Sequence, residues 1–400
     1  MLKILVIGAG FAGVWSAASA TRVIEEAGQG KQVQVTVVAP HDDIVIRPRL
    51  YEDNPEKMRV ALDRVLGPIG VRRIAATVTS IDTDAHTVTA IDRTGAEQQL
   101  SYDRLVLAAG SSLVAPNIAG AEYLFDVDTM PAAARLHAHI GTLTRLNEHP
   151  GQFTAVVVGA GFTGLEVATE LPSRLTAVAG ERAVRVVLVD RGQQVAAHLG
   201  DGPRPQIVAA LERHGVEVRQ GVSVAALDDR GVTLTDGSII PSATVIWTAG
   251  MRASALTEMV PGRRDSLGRL KVDEFLRVVG VADVYATGDC AEASVDSEHT
   301  VMQACQHAVP LGKHGGHNVA ADLLGLESVT FAPEDYVTCL DLGPGDAVFT
   351  TGWERTVKLI GEEAKSLKTQ INTEWIYPPV DDPETILGLA DHRITWPIEQ

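Results

Sequence analysis

The order of hydrophobic and polar positions predicts strands that alternate with helices. Residues 3–20 align with residues 154–171, and each segment is a β-branched apolar run, a group of glycines and an Ala-rich stretch. A second Val-rich run follows each segment, at 33–40 and at 184–191. Apolar runs of this length next to helical patterns are typical of buried parallel strands. The pattern predicts two βαβ units, here called the first unit and the second unit.

Both aligned segments carry the motif G-x-G-x-x-G between strand and helix. Its glycines allow a tight turn, close approach of a pyrophosphate and tight helix packing, and the helix N-terminus supplies amides and positive charge. A single copy is often only a glycine-rich turn, but two copies in one register predict two bound dinucleotides. The motif residues predicted to bind them are Gly8, Gly10, Phe11, Ala12 and Gly13 in the first unit, and Gly159, Gly161, Phe162, Thr163 and Gly164 in the second.

The last residue of the second strand in each unit is expected to bind an adenosine ribose. In the second unit this residue is Asp190, whose carboxylate accepts the 2′-OH of NADH and repels the 2′-phosphate of NADPH. The adjacent Arg191 can pair with that phosphate and partly offset the repulsion. NADH is therefore the favoured substrate, and NADPH remains an alternative. The first unit has Ala39 at this position, so the backbone or neighbours such as Asp42 and Asp43 are expected to hold the first ribose.

A second pair of similar segments, LVLAAGS at 105–111 and VIWTAGM at 245–251, closes two stretches of alternating strands. Each reads as a strand that ends in Ala-Gly where the backbone passes close to a bound dinucleotide. One copy alone would be a simple exit from a strand into a turn. The repetition predicts that Ala109, Gly110, Ala249 and Gly250 contribute to cofactor binding.

The segment VADVYATGDCA at 281–291 predicts a third element of the cofactor site. It places Gly288 and Asp289 at the end of a strand, where a carboxylate can bind the ribityl hydroxyls of a flavin. The alternative is that Asp289 caps a following helix, since Asp is a favoured N-cap residue.

These motifs in this order resemble the flavoproteins with two dinucleotide-binding domains, and among them the type II NADH dehydrogenases and their relatives, over about residues 1–320. The resemblance implies FAD in the first unit and NAD(P)H, with NADH favoured, in the second. The expected fold class is α/β, with two Rossmann-like dinucleotide-binding domains and a small C-terminal α+β region. The expected limits are 1–112 and 245–320 for the first unit, 113–244 for the second unit and 321–400 for the C-terminal region.

The resemblance also suggests the reacting residues. Glu166 matches the acid of the family's Gly-Val-Glu, near the stacked nicotinamide and flavin, where it would assist proton delivery; the alternative is a first-turn carboxylate that the helix dipole stabilises. Arg47 matches a segment close to the flavin ring, where a cation stabilises anionic reduced flavin, although a surface ion pair is equally ordinary. Gln303 matches the family's Ala-Gln stretch, whereas Met302 and His307 depart from it. Glu166, Gln303 and His307 are the candidate catalytic residues.

The C-terminal region is predicted to contain a hairpin around residues 343–346 and a helix over 361–376, after which the Pro-Asp-rich segment 378–383 ends regular structure. On the predicted helix, Glu362 and Glu363 stand beside Lys365 and Lys368. A mixed polar face of this kind is unlike that of a membrane-surface helix, so the helix is expected to pack on its own chain or on a twin subunit, as a homodimer. Peripheral membrane contact is not expected.

Composition and charge restrict the function further. The net charge of −17 argues against nucleic acid as a partner. The first of three cysteines is Cys290, so a redox disulfide beside the first glycine motif is excluded. The same absence of early cysteines argues against a sulfide:quinone oxidoreductase, which needs redox cysteines near the flavin. The histidines at 299–317 fit no metal motif, and no metal site is expected. No run of 18 apolar residues occurs, and the chain enters its first strand directly, so no signal peptide is expected and the cytoplasm is the expected location.

The predicted function is an FAD-dependent oxidoreductase that takes a hydride from NADH and reduces a small acceptor such as a quinone. One alternative is a reductase of a small electron-transfer protein such as rubredoxin or ferredoxin, although an acidic carrier would be repelled by a chain of net charge −17. A second alternative is a non-catalytic, NADH-bound redox sensor.

Overall fold

This computed structural model describes residues 1–146 and 149–395. The strands of its first part are β1 (Leu2–Ile7), β2 (Val33–Ala39), β3 (Asp43–Val45), β4 (Arg59–Ala61), β5 (Arg72–Asp82), β6 (Thr87–Asp92), β7 (Glu97–Ser101), β8 (Arg104–Leu107) and β9 (Ser111–Leu113). The later strands are β10 (Leu124–Phe125), β11 (Thr154–Val158), β12 (Arg185–Asp190), β13 (Val216–Gln220), β14 (Val224–Asp228), β15 (Gly231–Leu234), β16 (Ile239–Pro241), β17 (Thr244–Trp247), β18 (Met251–Ala253), β19 (Leu270–Lys271), β20 (Val284–Ala286), β21 (Ala291–Glu292), β22 (Val337–Asp341), β23 (Ala347–Thr351) and β24 (Thr356–Ile360). The α-helices are α1 (Phe11–Glu26), α2 (Leu62–Leu66), α3 (Met130–Thr142), α4 (Phe162–Ala179), α5 (Arg204–Arg213), α6 (Cys305–Leu324), α7 (Gly361–Gln370) and α8 (Pro383–Leu389).

The first unit is built on a seven-stranded sheet of order β20-β8-β1-β2-β5-β6-β7. The strands from β20 to β5 run parallel, and β6 and β7 continue the sheet as antiparallel strands. The parallel strands are almost wholly apolar because both of their faces are covered. Ile4, Val6 and Val37 pack in one cluster with helix α1, whereas Leu5, Ile7 and Val38 pack on the other face in a cluster that includes Leu270 and Val272. Strand β20 comes from late in the chain, so this sheet is completed only by residues near 285.

The second unit is built on a five-stranded parallel sheet of order β10-β17-β11-β12-β13. The predicted boundary of this unit is residue 244. Strand β17 runs from Thr244 to Trp247, so the sheet extends three residues beyond that boundary. An antiparallel sheet of β14, β15 and β16 lies beside it. Two parallel sheets with βα turns at corresponding places confirm the predicted α/β class.

Helix α6 packs directly on α1 because it presents glycines to it. A Cβ built on Gly312 or Gly316 would collide with the backbone of Ala12 or Ser16, respectively. Helices with glycine at the contact can approach until their backbones touch, as they do here. The packing places the N-terminal end of α6, with Gln303 just before it, close to the first glycine turn.

The C-terminal region is a three-stranded antiparallel sheet with α7 across it. Pairing of Asp341 with Ala347 confirms the predicted hairpin, and α7 continues through a π-helical turn to Trp375, as the predicted helix requires. Helix α8, which Asp382 caps by accepting the Glu384 amide at 3.1 Å, was not predicted. Residues 396–400 of this region lie outside the described residues. Within the described residues, no helix is both long enough and apolar enough to cross a membrane.

Candidate active site

The first glycine turn has the shape that a pyrophosphate needs. Gly8 has a φ of +104°, and a Cβ there would overlap the carbonyl oxygen of Ala108. A Cβ at Gly13 would overlap the carbonyl oxygen of Gly8, whereas a Cβ at Gly10 would meet no described atom within 4 Å. The outer glycines are therefore needed for the chain's own contacts, and the middle glycine leaves the backbone open to a ligand.

The second glycine turn repeats this construction. Gly159 has a φ of +106°, and a Cβ at Gly164 would overlap the carbonyl oxygen of Gly159. A Cβ at Gly161 would meet only Nε2 of His198, at 3.9 Å, among the described atoms. Burial and then Arg355 lower the pKa of His198, so a neutral imidazole stands beside this turn. No motif in the sequence indicated His198.

The two helices begin at these turns with free amides. The N-cap of each helix is the middle glycine, which has no side chain to occupy the first-turn amides. Phe11 and Ala12 start α1, Phe162 and Thr163 start α4, and neither first turn contains an acidic residue. Free amides and the positive end of the helix dipole together form an anion-binding cradle. The chain holds two such cradles, one in each unit.

The two Ala-Gly segments pass beside the cradles. A Cβ built on the first glycine of each turn would lie 3.0 Å from Cα of Ala109 and 3.1 Å from Cβ of Ala249, respectively. Gly110 and Gly250 follow with φ of +68° and +86°, which turns the chain away after each strand. The repetition in sequence thus corresponds to a repetition in space.

Asp190 ends β12 beside the second cradle. Its Oδ2 accepts the Ala160 amide at 2.7 Å, and its Oδ1 accepts the Gly192 amide at 2.6 Å. Each carboxylate oxygen has a second lone pair, so Asp190 can still accept ribose hydroxyls.

In the first unit, the acids that follow Ala39 lie in ion pairs. Asp42 pairs with Arg73 at 2.8 Å and with Arg93 at 2.7 Å, and both arginines lower its pKa. Asp43 pairs with Arg59 at 3.1 Å. Both neighbours that the sequence suggests as ribose ligands are thus partly exposed members of ion pairs, and like Asp190 each carboxylate keeps further lone pairs.

Asp289 lies in a buried polar network with Arg47. The Ser111 hydroxyl donates to Oδ2 of Asp289 at 2.5 Å, and Arg47 donates to that hydroxyl at 3.1 Å and forms an ion pair with Asp128. Nη1 of Arg47 is 3.8 Å from Oδ2 of Asp289. Burial raises the pKa of Asp289. Arg47 therefore makes a part-buried contact between the first unit and Asp128, which lies between β10 and α3 in the second unit.

The structure rules out Asp289 as a helix cap. Gly288 and Asp289 form a 3-10 turn after β20, and α6 starts only at Cys305, with Ala304 as its N-cap. A Cβ at Gly288 would lie 2.7 Å from Cβ of Ala12, so the Gly-Asp turn packs against the start of α1. The turn that carries Asp289 thus lies next to the first cradle, and the capping interpretation is wrong.

Glu166 points away from its own helix terminus into a buried ion pair. It lies in the second turn of α4, so the interpretation as a first-turn carboxylate is wrong. Its Oε1 accepts Nζ of Lys368 at 2.8 Å and the Asp341 amide at 3.3 Å. Burial raises the pKa of Glu166 more than Lys368 lowers it. Lys368, which the helical pattern placed on the outer face of α7, is only 7% exposed.

Gln303 and His307 lie on different sides of the N-terminal end of α6. Nε2 of Gln303 donates to the Asp289 carbonyl oxygen at 3.3 Å, so this side chain reaches the first cradle. Nδ1 of His307 accepts the Met302 amide at 2.9 Å, and its ring stacks on Tyr336 of the C-terminal region. Burial lowers the pKa of His307 to about 4, so the ring is neutral.

The candidate residues therefore form two groups. Gln303 and Arg47 lie around Asp289, in the turn that packs on the start of α1, whereas Glu166 faces the C-terminal region together with Lys368. Burial raises the pKa of the Cys290 thiol to about 12, so this cysteine stays a thiol. Among the described residues, no cluster of His, Cys, Asp and Glu side chains is arranged to hold a metal ion.

Comparison with known proteins places these features in a family. The model of the pyridine nucleotide-disulphide oxidoreductases matches residues 2–312. A NADH dehydrogenase-like protein of Mycobacterium tuberculosis is 47% identical over 98% of this chain and 99% of its own length. A type II NADH:quinone oxidoreductase of Staphylococcus saprophyticus is 26% identical over 94% and 95%. The solved structure of NDH2 from Plasmodium falciparum in complex with NADH superposes with a TM-score of 0.77 over 97% of each chain at 14% identity, which shows the shared fold.

Proposed function

This chain belongs to the pyridine nucleotide-disulphide oxidoreductase family, and from that premise we propose that it oxidises NADH through bound FAD and reduces a quinone-like small acceptor. Family membership makes it an NAD(P)H-dependent flavoprotein oxidoreductase. The observation that carries the proposal is the pair of open glycine cradles, because electron transfer between two dinucleotides needs one binding site for each.

The first cradle fits FAD. Its free α1 amides suit a pyrophosphate, and the buried Asp289 carboxylate suits the ribityl hydroxyls. Arg47 offers a cation in the same network. When bound, FAD accepts a hydride from NADH and passes electrons to the second substrate. This chain's residues position that group, exclude water and supply charge.

The second cradle fits NADH. The Asp190 carboxylate retains lone pairs for the 2′- and 3′-hydroxyls of an adenosine ribose, and its negative charge disfavours the 2′-phosphate of NADPH. The neutral His198 next to the turn adds no cation that would attract that phosphate. The proposal therefore favours NADH over NADPH.

The buried Glu166–Lys368 pair supports an acceptor that takes up protons. Reduction of a quinone to a quinol consumes two protons with two electrons. A carboxyl group whose pKa is raised by burial holds a proton at neutral pH more readily than an exposed one, and Lys368 beside it is a second proton carrier. A carrier protein that receives single electrons would have no use for this pair, so a small quinone-like acceptor is favoured.

The test is a pair of half-reactions followed separately under anaerobic conditions. The purified protein, reconstituted with FAD, is mixed with NADH or NADPH while flavin absorbance is recorded. The reduced protein is then mixed with short-chain quinones, with ferricyanide and with oxidised rubredoxin or ferredoxin. We expect rapid bleaching by NADH and rapid return of absorbance with quinones. A folded protein that retains no flavin, or a reduced form that only the carrier proteins reoxidise, would overturn the proposal.

A further inference from the structure

A second ion pair lies next to Glu166 and is not explained by flavin or NADH binding. The Asp341 carboxylate, at the end of β22, accepts Nζ of Lys365 at 2.6 and 2.7 Å, and it also accepts the Tyr51 hydroxyl at 2.9 Å. Asp341 is linked to Glu166 directly, since its own amide donates to the Glu166 carboxylate. Three separate parts of the chain thus meet around one buried acid.

Several donors surround the Asp341 carboxylate. The Gly343 amide adds a further donor to Oδ1 at 3.0 Å, so the carboxylate accepts hydrogen bonds from an ammonium, a phenol and an amide. Asp341 is 6% exposed, whereas the Lys365 side chain is 25% exposed and reaches the surface. Burial holds the pKa of Tyr51 well above its usual value, so the phenol remains a donor. The Asp341 carboxylate therefore lies beside Glu166, and its partner Lys365 lies on the solvent side of the pair.

We propose that the Lys365–Asp341 pair is a counter-charge that sets how readily Glu166 holds the proton it gives up during acceptor reduction. The inference rests on the proposed function, because it assigns Lys365 and Asp341 as positioning residues for the proton donor named there. They act through electrostatics and one backbone hydrogen bond, without touching the substrate.

The charges that face Glu166 come from every element packed around it. Helix α7 contributes Lys368 and Lys365, and β22 contributes Asp341. On α4 itself, Glu170 stands one turn further along and faces the same Asp341–Lys365 pair, and burial raises its pKa. The remaining titratable neighbours are the uncharged side chains of Tyr51, Cys305 and Cys339, in which burial raises the pKa.

The arrangement makes a prediction that a merely structural ion pair does not make. If Lys365 is replaced, the unpaired Asp341 charge disfavours ionised Glu166, so the pKa of Glu166 rises. If Asp341 is replaced by Asn, the remaining Lys365 favours ionised Glu166, so this pKa falls. Replacing Lys365 should therefore raise the proton affinity of Glu166, and replacing Asp341 should lower it, although both substitutions break the same ion pair.

The experiment compares Lys365→Met, Asp341→Asn, their double variant and Lys365→Arg with the parent. Quinone reduction by the pre-reduced enzyme needs protonated Glu166, so its rate falls as pH rises through the pKa of that group. We expect the midpoint of this fall to move up by about one pH unit in Lys365→Met and down by about one unit in Asp341→Asn. The double variant and Lys365→Arg should stay close to the parent, because each leaves the local charge balanced.

A matched control comes from the same hairpin. Asp346 is 8% exposed and forms an ion pair with Arg213, but it does not contact Glu166. Asp346→Asn should leave the midpoint unchanged. Shifts in the same direction for Lys365→Met and Asp341→Asn, or a loss of rate at every pH without a shift, would overturn the inference.

A second readout separates this inference from the proposed function. Infrared difference spectra of the holoenzyme over a pH series report the carboxyl band of Glu166, which Glu166→Gln identifies by its disappearance. If quinones are not acceptors but the band shifts oppositely in the two variants, the counter-charge role stands and the proposed acceptor falls. If quinones react but the band does not move, the counter-charge role falls alone.

Discussion

The two glycine turns have the same construction, but the helices that follow them have different side chains at one corresponding position, about one turn into each helix. In the aligned segments, Trp15 of α1 corresponds to Glu166 of α4. Both side chains are buried and both face a buried lysine from a helix late in the chain. Nζ of Lys313 lies 5.0 Å from the Trp15 ring centre, and Nζ of Lys368 lies 2.8 Å from the Glu166 carboxylate.

The lysines respond in opposite ways to these partners. Burial lowers the pKa of Lys313 to about 8, because an aromatic ring compensates an ammonium only weakly. Burial also opposes the charge of Lys368, but the carboxylate of Glu166 outweighs it and the pKa of Lys368 is raised. The duplicated part of each unit thus forms an anion-binding cradle, while the position that differs decides whether the helix presents an aromatic ring or a carboxyl group to the buried lysine.

The largest expected effect comes from removing the acid in the second unit. Glu166→Gln keeps the shape and removes the ionisable proton, and a positioned acid contributes ~10²–10⁴-fold to a proton-coupled step. We expect quinone reduction to slow by that order, with flavin reduction by NADH and ferricyanide reduction nearly unchanged, in rapid-mixing experiments. Trp15→Phe, at the corresponding position, should leave both half-reactions close to the parent. Slower NADH reduction in Glu166→Gln would instead assign the residue to nicotinamide binding.

Substitution of the middle glycines should separate the two cradles. Gly10→Ala and Gly161→Ala each add a methyl group where the chain itself has room, so both proteins should fold normally. Loss of one or two charge-assisted hydrogen bonds to phosphate weakens binding by about 10–100-fold. Calorimetric titration should show weaker FAD binding only in Gly10→Ala and weaker NADH binding only in Gly161→Ala. Equal loss of both ligands in either variant would mean that the cradles are not independent.

Asp190→Ala should reduce nucleotide discrimination. Removing the ribose acceptor should raise the KM for NADH by about tenfold, and removing its negative charge should narrow the gap to NADPH. Steady-state kinetics with both nucleotides measure this ratio. Because Asp190 also holds two backbone amides, thermal unfolding of the variant serves as the control for folding. An unchanged ratio would show that Asp190 does not contact the ribose.

The smallest effect at neutral pH is expected for Lys313. Lys313→Met loses a cation–π contact of ~0.5–2 kcal/mol and also removes a buried ammonium that is costly to desolvate, so Tm at pH 7 should change little. The pH dependence is the sharper test. The unfolded chain binds this proton up to its usual pKa of 10.5 and the folded chain only up to about 8, so the parent should gain stability between these pH values. Denaturant titrations should show no such gain from this residue in Lys313→Met.

The repeated parts of the chain could be read from sequence, because glycine spacing and strand periodicity are local properties. Gly8, Gly159 and Asp190 have the surroundings that the motif predicts. Lys368 could not be placed this way, since its partner Glu166 is 202 positions away and only the tertiary fold brings them together. A periodicity argument assumes that charged side chains face water, and a buried ion pair breaks that assumption.

The other differences have similar causes. The Pro-Asp segment around Asp382 was predicted to end regular structure, yet Pro and Asp are also the residues that start a helix, and α8 begins there. Asp42 and Asp43 form ion pairs with Arg59, Arg73 and Arg93, partners that the local sequence pattern does not indicate. Local pattern identifies what a residue can do, and the fold decides which partner it meets.

The place of β20 in the first sheet has a consequence for synthesis of the chain. The second unit's parallel sheet uses strands from Leu124 to Trp247, so it can close once that stretch has left the ribosome. The first sheet lacks its edge strand, and α1 lacks the cover of α6, until about residue 324 has been made. During translation the apolar face of α1 is therefore exposed until α6 has been made, and α4 likewise lacks its contacts with β22 and α7 until still later. The first cradle therefore reaches its final packing only late in synthesis, although its glycine turn is among the first residues to be made.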